Sequence, residues 1–123
     1  MTPELQQTKY INLITFRRDG REVSTPVWAV AVEGKLYCYT NGNVGKVKRI
    51  RATGRVRVAP SDLRGKPVGP WVEGQGRIVQ DAGLRERVLQ ALGRKYGLTY
   101  YLLTLLAVLG RRTRDRIVIE LDV

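Results

Sequence analysis

The chain has no histidine and a single cysteine, Cys38, among its 123 residues. Within one chain those absences remove a disulfide framework, a Cys/His zinc site and every histidine-based catalytic triad. Cys38 lies in a predicted strand between Tyr37 and Tyr39, surroundings that suit a small packed hydrophobe better than a reactive thiolate. No metal site and no catalytic acid, base or nucleophile is assigned, so any chemistry must come from a bound group. Acid is also scarce: Asp and Glu number 11 against 22 Lys and Arg, a formal charge of +11. Such a balance favours phosphorylated ligands or polyanions without choosing between them. Leu98, Leu102, Leu103, Leu105, Leu106 and Leu109 mark an apolar segment, 98–109. At about a dozen residues it falls short of the roughly 20 that a spanning helix needs, and is read as a buried or interfacial helix. The start, Met1-Thr2-Pro3-Glu4-Leu5, has neither the basic flank nor the apolar run of a signal peptide, and a cytoplasmic protein is expected. No repeat, low-complexity tract or linker divides residues 1–123, which are read as one domain.

What is present reads first as strands. Residues 10–16 are rich in β-branched and aromatic side chains, and Asp19-Gly20 suits a tight hairpin into a second run, 22–32. The later half of that run is nearly all apolar, as in a strand covered on both faces. Ser24-Thr25-Pro26-Val27-Trp28 interrupts it. A proline cannot donate to a ladder, so Pro26 belongs at a bulge or an edge, either beside a site or at a plain barrel bend. After a turn at Glu33-Gly34, a third strand places Leu36, Cys38 and Thr40 on one face and Tyr37 and Tyr39 on the other.

The stretch 39–51 then turns a strand into a helix and loads the turn with glycine and positive charge. Asn43 is a candidate N-cap, and Val44, Val47 and Ile50 have the spacing to dock a short helix, with Lys46 and Arg49 together on another face. Lys46 falls in the first turn, where the helix dipole already concentrates positive charge. Residues 34–61 contain no acid to compensate. A phosphate fits, because glycine lets backbone amides approach it while Lys and Arg neutralise it. A solvated basic face is the plainer alternative, and the glycine-rich loop of nucleotide triphosphatases is absent.

Arg55-Val56-Arg57-Val58-Ala59 alternates like a strand with one wet face, which Pro60 is expected to end. A Gly/Pro-punctuated loop follows, then a strand over 71–79 whose Gly74 and Gly76 invite a bulge or close backbone approach. Trp71, which opens it, either lines a pocket or plugs the barrel end. Residues 81–96 read as a helix with Leu84, Val88 and Leu92 inward, Leu89 and Ala91 nearby, and Arg85, Arg87, Arg94 and Lys95 on its other faces. It runs on into the apolar segment, with a stop at Gly110 and Arg111-Arg112. The last strand, 116–123, turns Ile117, Ile119, Leu121 and Val123 inward and Glu120 and Asp122 outward. The expectation is an α+β, mainly β fold: a six-stranded antiparallel barrel with a short basic helix and a helical excursion before the last strand.

Ile11-Asn12-Leu13-Ile14-Thr15-Phe16-Arg17-Arg18-Asp19-Gly20, Val23-Ser24-Thr25-Pro26-Val27-Trp28, Leu36-Tyr37-Cys38-Tyr39-Thr40 and Gly45-Lys46-Val47-Lys48-Arg49-Ile50-Arg51 together resemble the pyridoxamine 5′-phosphate oxidase-like split β-barrel superfamily. Within it the chain is most similar to the flavin/deazaflavin-dependent oxidoreductases that use coenzyme F420. The likeness covers about residues 10–79 and the last strand. It implies a six-stranded split barrel that forms a homodimer, with the cofactor in the groove between subunits. It further implies that Ser24, Thr25, Pro26, Val27 and Trp28 run under the ring system while Thr40, Gly45, Lys46, Lys48 and Arg49 hold the phosphate. Tyr39 and Trp71, with Tyr37, would shape the pocket of a small unsaturated substrate that receives hydride. The apolar segment from 98 to 109 departs from a minimal member. It would serve as dimer or partner contact, as a lid, or as attachment to a membrane surface flanked by Arg94, Lys95, Arg111 and Arg112.

Two alternatives stand beside F420 reduction. The same fold with FMN is one, because a phosphate site does not separate the two cofactors. A basic barrel binding nucleic acid through Arg55, Arg57, Lys46, Lys48 and Arg51 is the other, disfavoured because aromatics are few and not interleaved with those positions.

Overall fold

The computed structural model describes residues 2–41, 45–99, 102 and 116–123. In chain order these form α1 (Pro3–Gln7), β1 (Tyr10–Phe16), β2 (Glu22–Val27), β3 (Ala29–Val32), β4 (Lys35–Asn41), α2 (Gly45–Thr53), β5 (Arg55–Ser61), β6 (Val72–Ile78), α3 (Ala82–Tyr96) and β7 (Arg116–Asp122). The Asn43 cap, Val44, most of the 98–109 segment and its Gly110 stop lie outside the described residues.

All seven strands join one antiparallel sheet in the order β2-β1-β5-β6-β7-β4-β3. β2 and β3 are separated in sequence by Trp28 alone, yet occupy opposite edges of that sheet. A chain that leaves one edge and enters the other through a single residue must curl the sheet almost shut, and this is a split barrel. The count is seven strands where six were expected, because the second run breaks at this corner. Val27 still pairs with Ile11 of β1, whereas Ala29 already pairs with Cys38 of β4.

The two-residue period of the strands divides the apolar side chains between two clusters. Ile11 and Leu13, Leu36 and Cys38, Val56 and Val58, and Ile119 and Leu121 fill the barrel, closed off by Leu5 of α1 and Ile50 of α2. On the other face Val30, Tyr37 and Val118 pack against Val88 and Leu92 of the stripe expected of α3, with Leu84, Leu89 and Ala91 partly buried beside them, and against Tyr96, which extends that stripe. Each such side chain contributes about 1.5–3 kcal/mol when fully buried. Docked on the sheet by Val47 and Ile50, α2 is thereby fixed at the barrel end with its basic residues outside the core.

Four local features differ from expectation. The polar lead is a one-turn helix, with Thr2 accepting from Leu5 N at 3.3 Å and Pro3 in the first turn, a start signal that the sequence carries. Pro60 does not end β5. It lies within the strand opposite Ile11, and its carbonyl accepts from Val68 N at 2.8 Å, so the missing N–H is tolerated where the partner is a loop. Glu120 does not point to open solvent: it is 8 % exposed, bonded by Arg77 Nε at 2.8 Å and by Tyr37 Oη at 3.3 Å, with Lys35 Nζ at 3.5 Å. Lys95 is half-buried and not on an outer face of its helix. At Gly74 the close approach expected is present, since a Cβ there would run into the Asp122 carbonyl.

Candidate functional site

A cleft of about 320 Å³ opens where the β2–β3 corner meets β4 and the start of α2. Pro26, Val27 and Trp28 come from the corner, Tyr39 and Thr40 from β4, and Lys46 from the first turn of α2. Six residues predicted from separate stretches thus meet in one place. Tyr10 of β1 and Leu63 of the β5–β6 loop complete the lining, and none of the lining residues is acidic.

Each wall has a local cause. The corner exists because Pro26 gives β2 no donor and Trp28 has no sheet partner. Strand alternation sends Tyr39 to the opposite face from Leu36 and Cys38, which the barrel interior takes. The loop bearing Leu63 is closed by Asp62, whose carboxylate accepts from Arg64 N and Lys66 N, both at 2.9 Å. Asn12 then ties this loop to the sheet, donating to Gly65 O at 2.6 Å. Leu63 itself stays 71 % exposed, an apolar side chain at the rim.

Lys46 is the electrostatic anomaly. It is half-buried, and no hydrogen bond or ion pair holds its ammonium among the described residues. Burial presses its pKa below the usual value, and the neighbouring Arg49 pushes the same way. The Cys38 thiol lies close enough to pull in the opposite direction. It offers little near neutral pH, however, because its own burial raises it to about 12 and keeps it uncharged. Lys46 also sits at the positive end of α2, so both burial and the helix dipole call for an anion there.

The remaining predicted residues divide. Arg49 is not in the cleft lining: its Nε donates to Thr15 Oγ1 at 2.6 Å, and its guanidinium folds back over Gly45 at the helix start. Burial, and then Arg17, disfavours its charged form, although a guanidinium keeps its proton regardless. With Lys48 it lines a separate groove beside Phe16, Arg17 and Arg18. Gly45 lines neither cleft nor groove. Ser24 donates to Asn12 Oδ1 and Thr25 pairs with Leu13 on the core-bearing face, so neither side chain reaches the cleft. Trp71 is also outside the lining, with its ring under the Arg57 guanidinium at 5.6 Å.

Several contributors gave weak sequence signals. Tyr10 looked like an ordinary strand start, and Leu63 was one apolar residue in a polar loop. Tyr96 marks only a helix end in the sequence, yet its ring stacks on Trp28 with centroids 4.3 Å apart and planes 7° from parallel. Two of the five candidate nucleic-acid contacts are already engaged: Arg55 with Glu73 at 3.1 Å, and Arg57 with Glu22 at 2.8 Å.

No protein-family model matches the chain, and no curated protein sequence matches it. Solved structures do. A conserved hypothetical protein from Mycobacterium tuberculosis is 20 % identical, with a TM-score of 0.71 over 93 % of this chain and 72 % of that one. HutZ, the heme storage protein of Vibrio cholerae, is 14 % identical, with a TM-score of 0.72 over 96 % and 83 %. A Clostridium acetobutylicum protein of the pyridoxinephosphate oxidase family, related to general stress protein 26 of B. subtilis, is 16 % identical, with a TM-score of 0.65 over 93 % and 74 %. The chain therefore has the pyridoxamine 5′-phosphate oxidase-like split-barrel fold. Among the described residues no helix is long and apolar enough to cross a membrane.

Proposed function

We propose that the chain is an oxidoreductase that binds coenzyme F420 at this cleft and moves hydride between it and a small unsaturated organic substrate. The observation that carries the proposal is Lys46, a half-buried ammonium without a partner among the described residues, in a cleft whose other walls are aromatic, apolar and, at Thr40, a neutral hydroxyl. A planar ring with a phosphate attached fits both features. Trp28 and Tyr39 offer flat apolar surface, while Lys46 and the amides at the start of α2 suit the phosphate. Arg49, folded over Gly45, is the second cation within reach of that helix start. When bound, a deazaflavin supplies the hydride chemistry, so the absence of histidine is no obstacle. The protein's part is to hold the ring against the Pro26–Trp28 corner and to exclude water from one of its faces.

The cleft volume is near the lower end of the roughly 300–1,000 Å³ of small-molecule sites. A second copy of the chain completing the groove is therefore part of the proposal, as is a cytoplasmic setting. FMN carries the same phosphate and is the alternative cofactor. Heme fits these residues less well, because histidine is absent and Cys38 is sealed in the barrel.

Absorbance and fluorescence titrations with F420 and with FMN test the proposal. Saturation by F420 at one molecule per chain is expected. Stoichiometric FMN binding without F420 binding would move the assignment to FMN. If neither binds and a gel shift shows tight, steeply salt-dependent association with nucleic acid, the basic-barrel alternative replaces both.

A further inference from the structure

Trp28 is the one residue of the β2–β3 corner with no ladder partner, so the sheet does not set the orientation of its ring. Instead α3 does. Tyr96, in the last turn of that helix, lies face to face with Trp28 at 4.3 Å and 7°. Its hydroxyl is fixed in turn, accepting from Ala29 N at 3.0 Å and donating to Lys9 O at 2.6 Å. Beside it Lys95 Nζ donates to Thr8 O at 2.8 Å and to Ala29 O at 2.5 Å. Ala29 N and O at the corner, and the Thr8 and Lys9 carbonyls ahead of β1, are thus satisfied from one helix end. Neither Tyr96 nor Lys95 lines the cleft, and Tyr96 is only 8 % exposed.

We infer that Tyr96 is a positioning residue for the cleft: its ring sets the plane of Trp28, and a flat ligand held against Trp28 depends on a side chain it never touches. The inference rests on the proposal that a flavin-type ring occupies the cleft. A rigid, pre-oriented aromatic wall saves the ligand the entropy of ordering it, and the stack supplies that rigidity before binding. It also links α3, whose apolar stripe packs in the same cluster as Trp28 and Tyr39, to ligand affinity.

The test uses a Trp71→Phe background, which leaves Trp28 as the only tryptophan of the two. Tyr96→Phe keeps the flat ring and loses the hydroxyl bonds, Tyr96→Leu loses the ring, and Val88→Ala weakens the α3 packing away from the cleft. Two quantities are read: time-resolved anisotropy of Trp28 without ligand, and the Kd for FMN and F420. Tyr96→Phe and Val88→Ala should lower Tm while leaving Trp28 mobility and Kd within about twofold of the parent. Tyr96→Leu should free Trp28 and weaken binding about tenfold. If Tyr96→Leu does not fold, Tyr96→Met, which has bulk without a flat face, carries the same expectations. Trp28 as immobile as in the parent, or a Kd that simply follows Tm through the series, overturns the inference. Should the parent bind neither cofactor, the proposed function fails, while the ligand-free anisotropy still decides whether Tyr96 orients Trp28.

Discussion

Replacing Lys46 by methionine should move stability and ligand affinity in opposite directions. Methionine retains an unbranched stem of similar bulk, so the packing is kept and the ammonium alone is lost. That ammonium is half-buried, lies in the first turn of α2 and has no partner among the described residues. The helix dipole alone opposes a cation there by about 0.3–1 kcal/mol, and desolvation adds to this. A gain of about 1 kcal/mol without ligand corresponds to roughly 4 °C in Tm for a domain of this size. On the proposed function the same group makes a charge-assisted bond to the ligand phosphate worth about 1.5–3 kcal/mol, so its loss should weaken binding by about 10- to 150-fold. Melting curves and cofactor titrations, both in phosphate-free buffer at low salt, read the two effects. The pH dependence provides an internal check. Because the folded pKa lies below the usual 10.5, the unfolded state binds more protons between the two values, and wild-type stability rises with pH through that window. Lys46→Met should lack this rise. A variant that melts lower than wild type and binds cofactor equally well would refute the reasoning.

Three further outcomes are expected. Lys46→Ala combined with Arg49→Ala should weaken cofactor binding sharply, beyond Lys46→Met alone, while far-ultraviolet circular dichroism stays native, since neither side chain belongs to the barrel core; an unchanged titration would remove the phosphate site. Leu63→Asp, at a rim residue 71 % exposed, should change stability by less than about 0.5 kcal/mol. It should nevertheless weaken an anionic ligand severalfold, and Leu63→Ala should not share the charge effect, as parallel titrations would show. Burial raises the Tyr96 phenol from 10.0 to about 12, so between these values the unfolded chain gives up its proton first and stability falls with rising pH, by about 2–3 kcal/mol in all. Alkaline denaturation curves should lose that portion of the fall in Tyr96→Phe.

The barrel was legible because its strands announce themselves locally. Alternation over 36–40 puts Leu36 and Cys38 on one face and Tyr37 and Tyr39 on the other, and the structure gives the first pair to the barrel interior and the second to the opposite cluster. The break at Trp28 was less legible, since the near-continuous apolar run after Pro26 looks like one strand; only the closure of the sheet separates it into two. Lys46 was found from a conflict between charge and helix dipole that needs no tertiary information. By contrast, Lys95 and Glu120 were placed on outer surfaces by periodicity, whereas the structure draws them into contacts with Thr8, Ala29, Arg77 and Tyr37, all distant in sequence. Tyr10 and Leu63 enter the cleft lining, and Tyr96 reaches Trp28 behind it, for the same reason. Period locates a face but not the neighbour that covers it. Trp71, an aromatic beside a glycine-rich strand, was equally open to either role, and its place under Arg57 follows from the β5–β6 pairing.

The central claim is that the cleft holds a flavin-type ring and that Lys46 holds its phosphate. Comparing FMN with riboflavin, which has the same ring and no phosphate, isolates that second contact in one titration pair. Both should bind the wild-type cleft, with FMN tighter by at least about tenfold, and the difference should collapse in Lys46→Met. Equal affinities of FMN and riboflavin for the wild type, or a preference for FMN that survives the loss of Lys46, would contradict it.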